Sequence, residues 1–460
     1  MNSKIKQIAI ELTHIGVMSY YVGGCVRDEI MSGFLGLDSD IDICLVGVTD
    51  PSQVEAILLQ YSESVTPLVG KKFPVWIADI DGKKIDFAMA RTETLVGGTR
   101  KDFDVVTEGV TLKDDLRRRD FTINAIAKEV IHGEIIDPFK GMWDIENCVL
   151  HPTSSAFGED TLRVYRAARF LSRFPEFEPS AELVKVCNIL KPTDISNERV
   201  GMELVKTMKQ ACLPSRFFTF LKEIDWLKYH FKELNDLVGV PQNPLYHPEG
   251  DAFTHTMHTI DQSTNAFIRT VMLCHDLGKS TTTTVEGMPY SKTLGFGIPP
   301  ELKIKSVGHE EAGKELTHKM LTRIHFADHK TIKQIETLVG LHMIRTGISE
   351  KVIRRSLRAL LSMGLNYDDL VEVCRCDVSG RPPLTQYTPD IGQHRAKELL
   401  ETGAMDIIVT GEKLIEAGYK PGPLLGELVK VGLEWQDRGT LNEHNWLKMI
   451  KQYKPKTKIS

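Results

Sequence analysis

Residues 22–42 read VGGCVRDEIMSGFLGLDSDID: a glycine pair, an arginine, and then Asp40 and Asp42 one residue apart. On a strand, residues two apart share a face, so these acids present their carboxylates together. Like charges that close repel unless a cation lies between them. Carboxylate oxygens are hard ligands and suit Mg²⁺, which keeps its other positions for water and phosphate oxygens. Such ions activate an attacking hydroxyl and stabilise a leaving pyrophosphate. Gly23 and Gly24 supply a turn whose backbone can approach a triphosphate. Arg27 is placed to neutralise phosphate charge. A solvated acidic turn would carry the same two acids; the glycines and the arginine upstream set this stretch apart.

Two further clusters follow. LRRRDFTINAIA (116–127) places three arginines, Asp120 and Asn124 before a run of small residues. Beside a carboxylate–metal site it reads as a clamp, with Arg119 on phosphate and Asp120 and Asn124 on the ribose or in support. In SSAFGEDTLRVYRAARFLSRF (154–174), Asp160 and Arg163 are three apart on a predicted helix, and Arg166 and Arg169 continue the stripe. The bland alternative is a salt-bridged helix face. The sharper reading is base selection: an Asp accepts from the exocyclic amine of C or A, while an Arg donates to the ring nitrogen and carbonyl. A protein could choose its nucleotide that way without a template.

A second chemistry lies downstream, in YHPEGDAFTHT, VMLCHDLGK, VGHEEAG, LVGLHM and CRCDVSGR. Neutral imidazole and carboxylate suit first-row divalent metals. His255, the adjacent pair His275–Asp276, and Asp377 form one candidate set. His309 and His342 are either a second set or structural histidines.

The elements that must position these groups change along the chain. Residues 18–26 and 40–47 read as strands, 51–61 as a helix with proline in its first turn, and FPVWIADIDGKKIDFAMAR as a hairpin turning at Asp81–Gly82. From about 155 helical periodicity takes over, at 159–172, 180–190, 197–211 and 214–228. A turn-rich stretch at 241–251 separates this from further helices to near 375. Residues 280–306 read as a long loop or hairpin, and 393–450 as helical again. The segment 92–106, with Gly97–Gly98 as a hinge, is either a moving loop or an ordinary hairpin. At 460 residues the chain should hold roughly two to four domains. No apolar run approaches the ~20 residues of a membrane span. The amino-terminal 16 residues read as an amphipathic helix and not a signal peptide. Eight scattered cysteines without zinc spacing predict reduced thiols and a cytoplasmic protein. A net charge of −5 means that a nucleic-acid partner must meet a local basic patch. Lys185, Lys191, Arg199, Lys206, Lys209 and Arg216 are candidates, each equally readable as a solvated surface cation.

Taken in order and spacing, GG…RD…DxD, RRDFTINA, EDxLRxxRAARF and SNERVGMEL resemble the class II tRNA nucleotidyltransferases, the CCA-adding enzymes, whose motifs bacterial poly(A) polymerases share. The H…HD…D order resembles the HD phosphohydrolase superfamily, as fused in the bacterial multifunctional CCA-adding proteins. The resemblance implies an α+β fold. An N-terminal polymerase-β-like mixed-sheet head (1–145) would be followed by an all-α nucleotide-selecting neck and tRNA-binding body (146–240). An all-α HD domain (241–390) and a helical C-terminal region (391–460) would complete it. It implies CCA addition to the tRNA acceptor end from CTP and ATP, with no membrane partner. Asp40 and Asp42 would hold Mg²⁺. Gly23, Gly24, Arg27, Arg119, Arg166 and Arg169 would meet nucleotide, and Asp160 with Arg163 would read the base. A divalent transition metal would sit on His255, His275, Asp276 and Asp377, for phosphoester hydrolysis. Asp86 is either a further carboxylate of the head or a solvent-facing hairpin residue. A poly(A) polymerase, an enzyme adding only CC or only A, and a non-catalytic tRNA-binding protein are the competing readings.

Overall fold

The computed structural model describes residues 3–33, 40–69, 75–95, 103–192, 195–286, 288–289, 303–343, 349–383, 391–403 and 405–454. Two compact units emerge: residues 1–203 with 211–229, and residues 204–210 with 230–460.

The first unit opens on a seven-stranded sheet. Its strands are β1 (Met18–Val22), β2 (Ile41–Val46), β3 (Ser64–Val69), β4 (Val75–Ile80), β5 (Lys83–Met89), then, past the hairpin β6 (Thr92–Leu95) and β7 (Phe103–Val106), β8 (Ala127–Glu129) and β9 (Ile135–Ile136). The order is β3-β4-β5-β2-β1-β8-β9. The β2–β5 pair is parallel and the other pairings are antiparallel. The β4–β5 turn falls at Asp81 and Gly82, both at positive φ (55° and 74°), as a two-residue hairpin of matching twist requires.

Alternation along β2 decides the faces. Ile41, Ile43 and Leu45 enter a core with Ile8, Leu12, Val54, Leu58, Trp76 and Phe87, which packs the helices Ser3–His14 and Pro51–Tyr61 beneath the sheet. Asp42 and Cys44 therefore face the other way, where Cys44 joins a small cluster with Val22, Ala90, Leu116, Ala125 and Ala127. A one-residue slip would drive the acids into the core, so burial of the isoleucines fixes their direction.

The predicted strand over 18–26 stops early. Gly23 takes φ 76° and ψ −137°, and the helix Gly24–Ser32 begins at once. GGCV is apolar enough to extend a strand pattern, but the left-handed glycine breaks it. Helices Leu162–Arg173, Ala181–Ile189, Asn197–Gln210 and Ser215–Glu223 follow. The predicted 214–228 helix ends at Glu223 because Asp225 takes φ 60°; a further short turn is Leu227–His230. Tyr165, Phe217 and Trp226 form the aromatic core of these helices.

The second unit carries the helices Ala252–Ile260, Ala266–Cys274, His309–Arg323, His329–Leu341, Glu350–Ser362 and Tyr367–Ser379. Side-chain caps start several of them. Asp251 accepts from the Thr254 amide at 2.8 Å, Asp328 from that of Thr331 at 2.8 Å, and Asn366 forms a capping box with Asp369. Of residues 280–306, the described part ends the short helix Lys279–Thr282 and then forms a three-stranded antiparallel ribbon of Thr283–Val285, Met288–Pro289 and Ile304–Ser306. The C-terminal stretch breaks into Ile391–Glu401, Gly411–Glu416, Pro423–Asp437 and Trp446–Gln452 around Leu414, Leu428, Leu441 and Ile450. No helix among the described residues is long and apolar enough to cross a membrane. Gly97–Gly98 lie outside the described residues.

Candidate functional sites

In the first unit, strand register brings the acids together. Asp42 stands directly opposite Asp86 in the parallel β2–β5 pair, and exposed Asp40 precedes β2. Burial pushes the Asp42 carboxyl up to about 6; Asp86 and Asp40 push the same way, against Arg119. Burial and Asp40 also raise Asp86. Among the described residues, three-ligand groups within 4.8 Å of one another fall in the second unit, so these acids are spaced more widely. Hard oxygens sharing one sheet face and mutually repelling fit a divalent cation such as Mg²⁺.

Glycine turn and arginine converge on the same spot. A Cβ at Gly23 would lie 3.1 Å from Arg119 Nη1 and 3.5 Å from Asp42 Oδ2. Arg119 is steadied by Asp115, whose Oδ2 lies 3.2 Å from Nη2; Asp115 also accepts from Arg118 at 2.6 Å and from the Arg91 amide at 3.2 Å. Burial would raise the Asp115 carboxyl, yet Arg119 and Arg118 hold it below its ordinary value. Asp115 was legible in LKDDLRRR as an i,i+3/i,i+4 partner of the arginines, a pattern not read.

The remaining clamp residues bind one another. Arg27 is buried over the rings of Phe170 and Phe174, 5.2 Å from each centroid, and gives Nη1 to Asn124 Oδ1 (2.6 Å) and Nε and Nη2 to Asp28 (2.8 and 2.6 Å). Asn124 Nδ2 donates to Asp120 Oδ1 at 3.0 Å, and Arg166 donates to Asp120 Oδ2 through Nε (2.8 Å) and Nη2 (2.5 Å). Burial would raise Asp120, but Arg166 and Asn124 pull it down to about 2. Gly24 starts the helix beside Arg27 Nη2. Arg169 is buried against Glu203, with Nε 2.6 Å from Oε2.

Asp160 is not on a helix with Arg163. It lies in the turn before Leu162–Arg173 and accepts from the Leu162 amide at 3.2 Å and from Arg199 Nη2 at 2.7 Å. Arg163 instead donates to the carbonyls of Ala156 (2.6 Å) and Arg118 (2.5 Å). Two of its five N–H groups are spent there. Arg199, read from the sequence as a nucleic-acid contact or a surface cation, anchors Asp160, and Arg216 pairs with Glu178 at 2.9 Å.

In the second unit, the six histidine and aspartate candidates are buried together. His255, His275 and Asp377 form one group of possible ligands, and Asp276, His309 and His342 another. Asp276 faces both. Its Oδ2 is 3.2 Å from His275 Nε2, and its Oδ1 is 3.4 Å from His309 Nε2 and 3.8 Å from His342 Nε2. Asp377 Oδ1 lies 3.0 Å from His255 Nε2, and its other oxygen accepts from Arg381. Gly278 permits this convergence by close approach and not by a left-handed turn: a Cβ there would meet the His309 carbonyl oxygen at 2.0 Å.

Three rings are oriented alike. His275, His309 and His342 each point Nδ1 at a backbone carbonyl three residues back, those of Met272, Ser306 and Val339, at 2.6–2.7 Å. A carbonyl is satisfied only by an N–H, so in the neutral rings each Nε2 presents a lone pair. His275 Nε2 is buried without a hydrogen-bond partner, and the Nε2 atoms of His309 and His342 face each other at 3.2 Å. Facing lone pairs, anchored tautomers and carboxylates fit transition-metal ligation. A cavity of about 440 Å³ opens on the cluster, lined by Asp276, Lys279, His309, His342, Asp377 and Arg381.

Residues 19–151 match the family described as the poly A polymerase head domain. The chain is 35% identical over 384 residues to a multifunctional CCA protein of Methylobacillus flagellatus, covering 80% of this chain and 85% of that one. It is 37% identical over 314 residues to a multifunctional CCA protein of Herminiimonas arsenicoxydans, covering 66% and 68%. Among solved structures, the fold is similar to the Bacillus stearothermophilus CCA-adding enzyme in complex with CTP, at TM-score 0.65 and 19% identity, covering 98% of each chain. It is also similar to the Thermotoga maritima CCA-adding enzyme complexed with tRNA, at TM-score 0.52 and 19% identity, covering 98% of this chain and 96% of that one.

Proposed function

Because the chain belongs to the family of multifunctional CCA proteins, we propose that its head adds C, C and A in turn to tRNA 3′ ends from CTP and ATP, with no nucleic-acid template. The observation that carries the site assignment is the register of Asp42 against Asp86, with Gly23 and Arg119 converging on the same face. Asp40 and Asp42 hold Mg²⁺, which supplies activation of the 3′-hydroxyl and charge neutralisation of the leaving pyrophosphate. Gly23 and Gly24 leave backbone space for the triphosphate. Arg119, steadied by Asp115, donates to its oxygens. Arg27, Asp120, Asn124, Arg166 and Arg169 are chiefly a frame, since each binds another protein group. Arg166 is the most open of them to a nucleotide. Asp160, held by Arg199, accepts from the amino group that C and A share, and Arg163 uses its unspent N–H groups on the ring edge.

The head is assigned to 1–145, the selecting neck and tRNA-binding body to 146–240, the HD domain to 241–390, and a helical C-terminal region to 391–460. His255, His275, Asp276 and Asp377, with His309 and His342, hold divalent transition metal in the HD domain. This supplies a water nucleophile for phosphoesters such as 2′,3′-cyclic phosphates. The same reading sets the work in the cytoplasm; the free cysteines support it.

Labelled CTP and ATP with tRNA lacking its CCA test the transfer reading. Three additions support it; one or two additions, long A tails or no incorporation contradict it. His275→Ala and Asp276→Ala should abolish metal-dependent hydrolysis of a cyclic nucleotide and spare nucleotide addition. Loss of both activities, or of neither, counts against the HD assignment.

A further inference from the structure

One histidine of the buried cluster is held differently from the rest. His275, His309 and His342 lean on neutral carbonyls, whereas His255 Nδ1 lies 2.7 Å from Glu249 Oε1. The Glu249 side chain is wholly shielded from solvent, and so is that of His255. The same oxygen accepts from His247 Nδ1 at 2.9 Å, and the His247 ring stands edge-on to that of His255 at 4.8 Å. Glu249 Oε2 and His255 Nδ1 are both buried without an aligned hydrogen bond, so Glu249 faces His255 at ion-pair distance. The charge of this carboxylate is thus directed at two imidazoles, and one of these turns its other nitrogen towards Asp377 and Asp276.

A carboxylate behind a ligating imidazole fixes its ring and raises its donor strength, typically by enough to change metal affinity 10–100-fold. Of the three possible ligand groups, one is His247, Glu249 and His255 itself; of the other two, the effect reaches only the one that contains His255. The group of His255, His275 and Asp377 has an anion behind it; the group of Asp276, His309 and His342 has backbone carbonyls. We propose that Glu249 is a positioning residue that makes the two groups unequal, so that the His255 group takes a divalent transition metal first and more tightly. The proposal rests on the metal-cluster reading above. Glu249 sits in HPEGD, six residues before His255 and outside the helix that carries it, so the pairing has no helical spacing to announce it.

The test is a Co²⁺ titration of the metal-free full chain, followed by visible absorption as each ion loads. An Asp42→Ala background removes the ion held by the head. The proposal expects a tighter and a weaker step in the parent. Glu249→Gln, which keeps shape and removes only charge, weakens the tighter step by about tenfold or more and leaves the weaker one in place. His247→Ala, which leaves Glu249 to His255 alone, keeps or strengthens the tighter step, and this arm stands even if Glu249→Gln folds poorly. Both steps falling together, neither moving, or His247→Ala losing tenfold overturns the role of Glu249 while leaving the metal cluster intact. A parent that binds no Co²⁺ overturns the metal-cluster reading itself, and this proposal with it.

Discussion

Asp42 is costly to ionise where it stands. Burial and two neighbouring acids lift it to about 6, and the Arg119 guanidinium only partly offsets them. A cation between the acids removes that cost, which is why paired carboxylates on one strand face could be read from DSDID alone. Asp86 could not be placed that way, because register across a parallel pair is set by burial of Ile41, Ile43 and Phe87 and not by sequence distance. Its position opposite Asp42 predicts that Asp86→Asn slows CMP incorporation by about 10–100-fold. An unchanged rate would return Asp86 to the role of a hairpin residue. Asp120 makes a second, structural prediction. Its folded pKa of about 2 lies below the unfolded 3.8, so the stabilisation is complete above about pH 4 and drains away as pH falls towards 2. The shift is worth on the order of 2 kcal/mol. The urea midpoint of Asp120→Asn should therefore fall below that of the parent at pH 7, and the gap should narrow below pH 4. A gap independent of pH would mean that the loss is one of packing. Asp115, Glu249 and the pairing of Arg199 with Asp160 escaped the sequence reading for a shared reason: each matters through what it holds, and Asp160 and Arg199 meet across 39 positions.

At the scale of elements, the junction of β1 with the helix Gly24–Ser32 decides how near a phosphate can come. Sequence patterning carried the strand four residues too far, because GGCV looks apolar and only the fold shows that Gly23 turns left-handed. The same kind of break, at Asp225, divided a predicted helix. Periodicity served well where burial is one-sided, as in the helices of the second unit and the β4–β5 hairpin with its alternating burial. Gly23→Ala puts a side chain into a backbone conformation worth about 1–3 kcal/mol of strain and drives a methyl to 3.1 Å from Arg119 Nη1. It should lower kcat for nucleotide addition at least tenfold with tRNA affinity held. Equal losses in both would point to unfolding of the head, which a thermal melt would reveal.

For the whole molecule, each unit carries its own constellation: carboxylates and arginines in the first, imidazoles and aspartates in the second. The sequence reading named these residues, with His309 and His342 as a possible second set; their placement around the two oxygens of Asp276 arises from helix packing through Gly278. The basic face was foreseen less well. Arg199 and Arg216 are paired with Asp160 and Glu178. Affinity for tRNA should still fall as salt rises, log against log in proportion to the phosphates met. A flat response between 50 and 200 mM would contradict a phosphate-tracking surface. The central claim, that the paired acids of the head drive addition of CCA, is tested most directly by one gel. Wild type and Asp42→Ala are each given labelled CTP, ATP and a tRNA ending before CCA, at matched tRNA binding. Three added residues for the wild type and none for the variant is the predicted result; incorporation that survives in Asp42→Ala would contradict it.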